Sequence, residues 1–457
     1  MLSMKLLKTF LIVIGCILLF IVAAVPFFIR KTDRTPYQQT AFYQQMNLRL
    51  DSLASHPLDI DSVSPLLAGW SKVNITPTHP MPTAGYGNRK GKPYESIHDS
   101  IYARAIFLQQ GQTRVAIVAC DLLIIPPELT ILLRNQIQLA GIDYAHLYLG
   151  ATHAHNSIGG WGKRYIGELF AGKYDSAMVQ KLATAIISSV KKAATTLAPI
   201  ELQSSVIESA EWVKNRTMGN KGSTDPFLRV LYFMQKNNPS SKAILTSFAA
   251  HATTLGGDKM QLSRDYPGPL VDSLEKKDGY NQAFFLAGAV GSMGPETKGA
   301  NDWEELTNLA TGLETAIQQN KQKQTITPAL SMVTLTLPMR EPQWRFATDW
   351  CFRHWVWTKL YGDYVTEVKV LRIGNLIMVG MPCDFSGELV KPLTDFAASK
   401  GKQLMITSFN GGYAGYITKD AYYDIPGYET RVMNWFGPGN AAYFSEIIHR
   451  IIAMPNQ

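Results

Sequence analysis

An α/β fold with a large mixed β-sheet core and surrounding helices, preceded by a single N-terminal transmembrane helix, is what three features of the sequence predict. Short β-like runs alternate with helical periodicity through most of the chain, the pattern of an α/β protein. Gly374-Asn375 between two apolar runs reads as a hairpin turn, so part of the sheet is antiparallel and the sheet is mixed. An uncharged apolar stretch opens the chain.

That stretch covers 9–29, with Lys5 and Lys8 before it and Arg30 and Lys31 after it. About 21 residues at a rise of ~1.5 Å reach roughly 30 Å, the thickness of a bilayer core. This exceeds the ~7–15-residue apolar core of a cleaved signal peptide, and Ala23-Ala24 makes a poor cleavage site. The expectation is a basic N-terminus over 1–8 and an uncleaved signal anchor over 9–29, with a cleaved signal as the runner-up. Positive charge on both flanks leaves topology open to charge counting; a single-pass membrane protein with its catalytic domain in the periplasm or outside the cell is expected.

Thr35-Pro36 then opens a polar stretch with apolar positions at Tyr37, Phe42, Met46 and Leu50. This predicts a juxtamembrane helical segment over 30–65 that stands the main domain off the membrane. From 66 to 457 there is neither a Ser/Gly-rich linker nor an internal repeat, which predicts one large domain. Within it, 103–109, 114–122 and 145–150 read as strands, 176–196 as a helix, and 364–373 with 376–380 as the hairpin.

Composition excludes some classes. With 46% apolar and 18% charged residues the chain is folded rather than disordered. The formal charge of +8 is scattered, without a basic stripe, so no nucleic acid is expected; an anionic membrane surface is the more economical partner. No protein partner is inferred. Cys16 lies in the apolar stretch, and Cys120, Cys351 and Cys383 cannot all pair within one chain, so no disulfide is required. No CxxC or zinc-finger spacing occurs.

The chemistry-bearing signal is Ala151-Thr152-His153-Ala154-His155-Asn156, where a strand runs into two histidines and then Gly159-Gly160. Side chains at i and i+2 of an extended chain share a face, so both imidazoles can address one spot. A metal or acid/base site and a pair of hydrogen-bonded structural histidines are both open readings. His251, in Ala249-Ala250-His251-Ala252-Thr253-Thr254, ends another apolar strand and by itself reads as a core histidine satisfied by a carbonyl. The segment 344–364, with Trp344, Trp350, Trp355 and Trp357, reads either as an acyl-chain groove or bilayer contact, or as a packed core helix.

Several blocks, in order and at matching spacing, carry a family resemblance. Ala68-Gly69-Trp70-Ser71-Lys72-Val73-Asn74-Ile75-Thr76-Pro77, Ala84-Gly85-Tyr86-Gly87, Ile97-His98-Asp99, Tyr102-Ala103-Arg104-Ala105 and Arg114-Val115-Ala116-Ile117-Val118 precede the His-x-His block. Over 66–438 the chain resembles the neutral/alkaline non-lysosomal ceramidases, whose hallmark Ala-Thr-His-Thr-His-Ser is similar to the block at 151–156. The resemblance implies Zn2+ and hydrolysis of the N-acyl amide of ceramide or a related N-acyl lipid, giving a fatty acid and a sphingoid-type amine. Expected alternatives are a lipid-binding relative without turnover and a metallohydrolase with another acylated substrate. The immunoglobulin-like domain that the family carries at its C-terminus is not expected here.

Carried over residue by residue, the resemblance implies His153 and His251 as nitrogen ligands. Pro382-Cys383-Asp384-Phe385-Ser386 looks like the family's Pro-Gly-Glu-Phe-Thr, which makes Asp384 the carboxylate, with Glu388 as a fallback. Tyr413-Ala414-Gly415-Tyr416 implies Tyr416 as fourth ligand and Tyr428 as the catalytic phenol. His155 is implied as proton carrier, and Arg216 in Asn215-Arg216-Thr217 as oxyanion support. The family's Gly-Asp-Val-Ser-Pro falls on 291–295: without a gap Gly294 takes the serine's place, whereas a loop shift makes Ser292 the active-site serine.

Overall fold

The computed structural model describes residues 4–55, 60–61 and 63–454. The parts of the expected segments at 1–3, 56–59, 62 and 455–457 lie outside them. Helix α1 (Met4–Phe28) is predominantly apolar, and its large apolar side chains, Leu6, Phe10, Leu19 and Phe27 among them, are exposed. By length and composition its Leu6–Phe28 portion is able to cross a bilayer, a property it shares with signal sequences.

Two sheets packed face to face form the body. In the larger, the strand order is Gln282–Ala287, Asn238–Phe248, Phe227–Gln235, Ala198–Glu208, Leu67–Asn74, Tyr102–Gln110, Thr113–Cys120 and Leu147–Ala151, with Gln324–Thr325 beside Ala198–Glu208. The pairs at both ends of this row are parallel and the others antiparallel, so the sheet is mixed, as expected. The second sheet is Leu330–Thr336, Glu367–Ile373, Leu376–Gly380 and Gln403–Thr407; the Gly374-Asn375 hairpin is its centre.

Period-2 alternation explains the stacking. Ile106, Leu108, Val115 and Ile117 of the large sheet pack onto Leu371, Ile373, Leu376 and Met378 of the second. Their neighbours Ala105, Phe107, Ala116 and Val118 point the other way, into a helical layer. That layer holds α3 (Pro127–Gln136) and, beyond the short α4 (Arg164–Ala171), α5 (Ser176–Ala194). The α6 (Pro267–Lys276) and α7 (Asp302–Gln319) helices cover the rest of the large sheet. Helix α5 starts where the sequence predicts, because the Asp175 carboxylate accepts from the Ala177 and Met178 amides.

On the far side of the second sheet, beyond α8 (His354–Leu360), lie α9 (Val390–Ser399) and α10 (Asn440–Ala453), joined there by α2 (Ala41–Ser55). The expected spacer is therefore a packed layer. Met46 and Leu50 of α2 are buried in this core, Tyr37 and Tyr43 donate to Glu446 at 2.9 and 2.6 Å, and Arg450 pairs with Asp51. The same apolar positions that predicted the helix commit it to the domain, since burying them requires a partner surface.

The large sheet curls until its two edge strands approach. Gly150 makes this possible: a Cβ there would meet Leu286 Cδ2 at 2.5 Å. Further along, Ser408 donates its amide to Ala287 at 2.9 Å, and Tyr148 shares a 2.7 Å hydrogen bond with Thr407. The C-terminal ends of Leu147–Ala151, Asn238–Phe248, Gln282–Ala287 and Gln403–Thr407 thus lie together, and the loops after them build the site.

Candidate metal centre

The His-x-His pair converges by a different route from strand alternation. His153 sits at φ +62°, in the left-handed region, directly after the strand ends. The turn sets the two imidazoles edge to face, 4.7 Å between centroids, with their Nε2 atoms 3.2 Å apart. Such a backbone costs about 1–2 kcal/mol for a residue with a Cβ. Ser292 (φ +65°) and Phe409 (φ +63°), whose ring stacks on His153 at 4.2 Å, carry the same strain around the same spot. Non-glycine left-handed residues gather where geometry is over-determined by function.

Protonation follows from what each ring faces. His153 Nδ1 lies 2.7 Å from the Leu123 carbonyl and His251 Nδ1 2.8 Å from the Met293 carbonyl. A carbonyl only accepts, so both Nδ1 atoms carry the hydrogen. Burial pushes the His153 imidazole down to about 3 and those of His155 and His251 well below their ordinary value, so all three are neutral. The Nε2 atoms of His153 and His251 therefore present lone pairs.

Asp384 faces them. Its Oδ1 lies 3.5 Å from His153 Nε2 and 3.2 Å from His251 Nε2, is fully buried, and accepts no hydrogen bond. Its other oxygen, Oδ2, accepts from Tyr413 at 2.5 Å. Tyr416 OH stands 3.1 Å from His251 Nε2. Asp384 and Tyr416 arrive together because Asp384–Phe385 and Tyr416–Ile417 pair as a parallel two-residue ladder. Gly291 lets that ladder approach the loop after Gln282–Ala287, since a Cβ there would meet the Asp384 carbonyl oxygen at 2.4 Å.

Lone-pair donors brought together in a buried space favour a nearby positive charge, which the Arg216 guanidinium supplies on the His251 side. In a tetrahedral site with bonds of ~2.1 Å, ligand atoms stand about 3.4 Å apart. The His153 Nε2–Asp384 Oδ1 (3.5 Å), His251 Nε2–Asp384 Oδ1 (3.2 Å) and His251 Nε2–Tyr416 OH (3.1 Å) separations are close to that spacing, so these donors are compatible with a metal ion. His155 lies beside the set, and the ligand atoms of His153, His155 and His251 all fall within 4.8 Å of one another. Its Nδ1 is buried without a partner. Glu388 points elsewhere, toward Lys419, Tyr422 and the Ser223 amide.

Arg216 closes the other side. Its Nε donates to Glu429 at 2.6 Å, and its Nη2 reaches His251 Nε2 at 2.8 Å and Tyr416 OH at 3.0 Å. Burial disfavours its charge, yet Tyr416 and Glu429 outweigh this and hold the guanidinium above its ordinary value. Nη2 thus occupies the lone pair that a bound cation would compete for, while Glu429 holds the Nε end. Thr217 also donates to Glu429. Neither Glu429 nor Tyr413 was a sequence candidate; the signals were an acidic residue beside Tyr428 and a second tyrosine three before Tyr416.

Two chambers meet at this cluster. One is narrow and largely apolar, about 80 Å3, lined by Ile166, Phe170, Tyr361, Tyr413, Trp435 and their neighbours. The other is polar and open, lined by Asn88, Arg216, Thr217, Thr253 and Glu429. His155, Tyr416 and Tyr428 border both. Tyr428, its ring 5.9 Å from that of Tyr416, is half exposed at the junction. Ser292 is not brought there: fully buried, it borders neither chamber, and its hydroxyl meets that of Ser386 at 3.1 Å. Gly294 lies under the Arg216 stem, where a Cβ would touch Arg216 Cδ at 3.4 Å.

A family model described as neutral/alkaline non-lysosomal ceramidase, N-terminal, matches residues 66–349. Among solved structures, the neutral ceramidase from Pseudomonas aeruginosa matches with a TM-score of 0.72 and 18% identity, over 85% of this chain and 74% of that one. A ceramidase complexed with C2 matches with a TM-score of 0.72 and 18% identity, over 85% and 75%. At such identity the likeness is one of fold. His153, His155, Arg216, His251 and Ser292 fall inside the family match, and Asp384, Tyr416 and Tyr428 beyond it.

Proposed function

Since this chain belongs to the neutral/alkaline non-lysosomal ceramidase family, we propose that it is a zinc-dependent amidohydrolase that cleaves the N-acyl bond of ceramide or a related N-acyl lipid. The single observation that carries the zinc reading is the bare, buried Asp384 Oδ1 facing two neutral imidazoles. Two nitrogens, a carboxylate and a phenol form a borderline N/O set that suits zinc. The lipid reading is supported by the junction of an apolar chamber, suited to an acyl chain, with a polar one suited to a head group.

Zinc held by His153, His251, Asp384 and Tyr416 would supply Lewis acidity toward an amide carbonyl and a water molecule. The chain's own groups do the rest. The apolar chamber takes the acyl tail and excludes bulk water, so the scissile amide lies at the junction. As water oxygen bonds to the carbonyl carbon, the carbonyl oxygen gains charge, and Arg216 and Tyr428 donate to it. His155, neutral and with its Nε2 facing the ligand set, accepts the water proton and passes it to the nitrogen as the C–N bond breaks. Fatty acid and amine are the products.

The test uses the full chain. Purified protein is expected to contain about one equivalent of zinc, to release fatty acid from N-acylsphingosine in mixed micelles, to stop after chelation and to resume when zinc is returned. Undiminished release from metal-free, folded protein would overturn the zinc reading. The second reading, a lipid-binding relative without turnover, is favoured by the lack of a serine hydroxyl at Gly294 and the averted Ser292. Tight lipid binding with no release across a panel of N-acyl lipids is its signature.

Tyr413 orients Asp384 through its Oδ2 hydrogen bond, so Tyr413→Phe is expected to weaken zinc binding by about 10- to 100-fold. Competition against a chromophoric chelator measures this. Packing of the ring on Trp435, 5.6 Å away, should leave the fold intact.

A further inference from the structure

The aromatic segment 344–364 is not absorbed by the chemistry above, and its surroundings assign it a partner. Helix α1 runs straight into the strand Ile29–Lys31, which pairs antiparallel with Trp350–Phe352, so no linker separates the candidate span from the domain. The open carbonyls at the end of α1 are taken by Arg353, just before α8, and by Trp355 within it. Arg353 Nε donates to Pro26 at 2.5 Å, Trp355 Nε1 to Phe27 at 2.7 Å, and the Arg353 amide to Phe28 at 2.8 Å. The Trp355 ring lies 5.1 Å from that of Phe28. A helix end capped by another part of the chain has a fixed exit angle.

Around this junction the domain shows an apolar skirt. Phe346, Trp350 and Trp355 are 49%, 43% and 47% exposed, and Tyr165 and Leu169 of α4, which packs against α8, are 64% and 44% exposed. Exposed Lys31, Lys163 and Lys359 border it. Aromatic rings among basic residues, at the end of an apolar helix of membrane-spanning length, form the composition of a bilayer interface. The inner sides of the same helices lead to the site: Ile166 and Phe170 of α4 line the apolar chamber, and Trp357 of α8 packs at a tilt against Trp435, ring centroids 4.5 Å apart.

We propose that the face formed by α4, α8 and the Phe346–Trp350 turn seats in the head-group layer of the bilayer crossed by α1. This holds the apolar chamber against the membrane, and an acyl lipid passes from leaflet to chamber without crossing bulk water. The seat is independent of turnover and of zinc; only the passage of substrate rests on the proposed hydrolase. The occupant is a lipid surface because the patch is continuous with α1, whose apolar surface is itself unburied.

The experiment places the full chain in nanodiscs of phosphatidylcholine and phosphatidylglycerol. In a Cys16→Ser background the other cysteines are buried, so single labels can be introduced through Leu169→Cys, Phe346→Cys and Trp350→Cys. Ser240→Cys is the control, because Ser240 lies near the start of the strand Asn238–Phe248, opposite the end that leads to His251. Lipids with a head-group-level quencher are expected to quench the first three labels at least about twofold more than the control. Equal quenching at all positions overturns the seat. So does protection of the three labels in detergent that grows with protein concentration, which assigns the face to a second copy of the chain. Three independent positions guard against one variant failing to fold, and a zinc-free sample separates this outcome from that of the hydrolase reading.

Discussion

His251→Ala is expected to remove bound zinc and to lower kcat/KM for an N-acyl lipid by more than about 10³-fold. Loss of a group behind a ligand costs roughly 10–100-fold in metal affinity, and loss of the ligand itself costs more. His251 faces two other members of the set. Its Nε2 faces Asp384 Oδ1 at 3.2 Å and Tyr416 OH at 3.1 Å, so its removal leaves the carboxylate opposite an empty wall. The variant also strands the Met293 carbonyl, which His251 Nδ1 now satisfies, at a cost of about 1–3 kcal/mol. Elemental analysis, turnover and a melting curve on one preparation separate these effects. A folded variant that keeps stoichiometric zinc and full turnover would remove His251 from the ligand set.

Arg216→Lys is expected to reduce kcat by about 10²–10³-fold, the usual cost of one oxyanion donor, with KM little changed. The substitution keeps the charge and discards the fork. Arginine braces Nε on Glu429 at 2.6 Å while a separate nitrogen reaches Tyr416 at 3.0 Å; an ammonium at the end of a flexible stem cannot hold both. A transition-state role predicts loss in kcat, whereas a ground-state contact predicts loss in KM. Steady-state kinetics with soluble short-chain substrate distinguishes them, and an unchanged kcat would rule out Arg216 as the donor.

The parts of this molecule that were legible in sequence are those written in local pattern. The apolar run of α1, the 2-periodic strands, the helix expected over 176–196 and the Gly374-Asn375 hairpin depend on neighbours within a few residues, and the structure has them. The two-sheet stack was not legible, because nothing local says that Ile117 faces Leu371. Helix α2 shows the same limit: its apolar stripe announced a helix, but its partner surface on α10 is some 400 residues away. At the site, His153 and His155 stood out as a pair, although the left-handed turn that makes them converge did not. Asp384 and Tyr416 came only from resemblance, since a two-residue parallel ladder has no sequence signature. Tyr413 and Glu429 act through other side chains, which no spacing rule records.

The origin of the four proposed ligand atoms has a mechanical side. His153 and His251 hang from the ends of large-sheet strands, whereas Asp384 and Tyr416 belong to loops that follow strands of the second sheet. An ion gripping all four is a rivet through the joint between the two sheets. Its binding free energy becomes cohesion of the whole body, about 2.7 kcal/mol when free metal stands at a hundred times its dissociation constant. Metal supply would then govern the lifetime of the protein as well as its catalysis, and a metal-starved cell would hold fewer copies rather than idle ones.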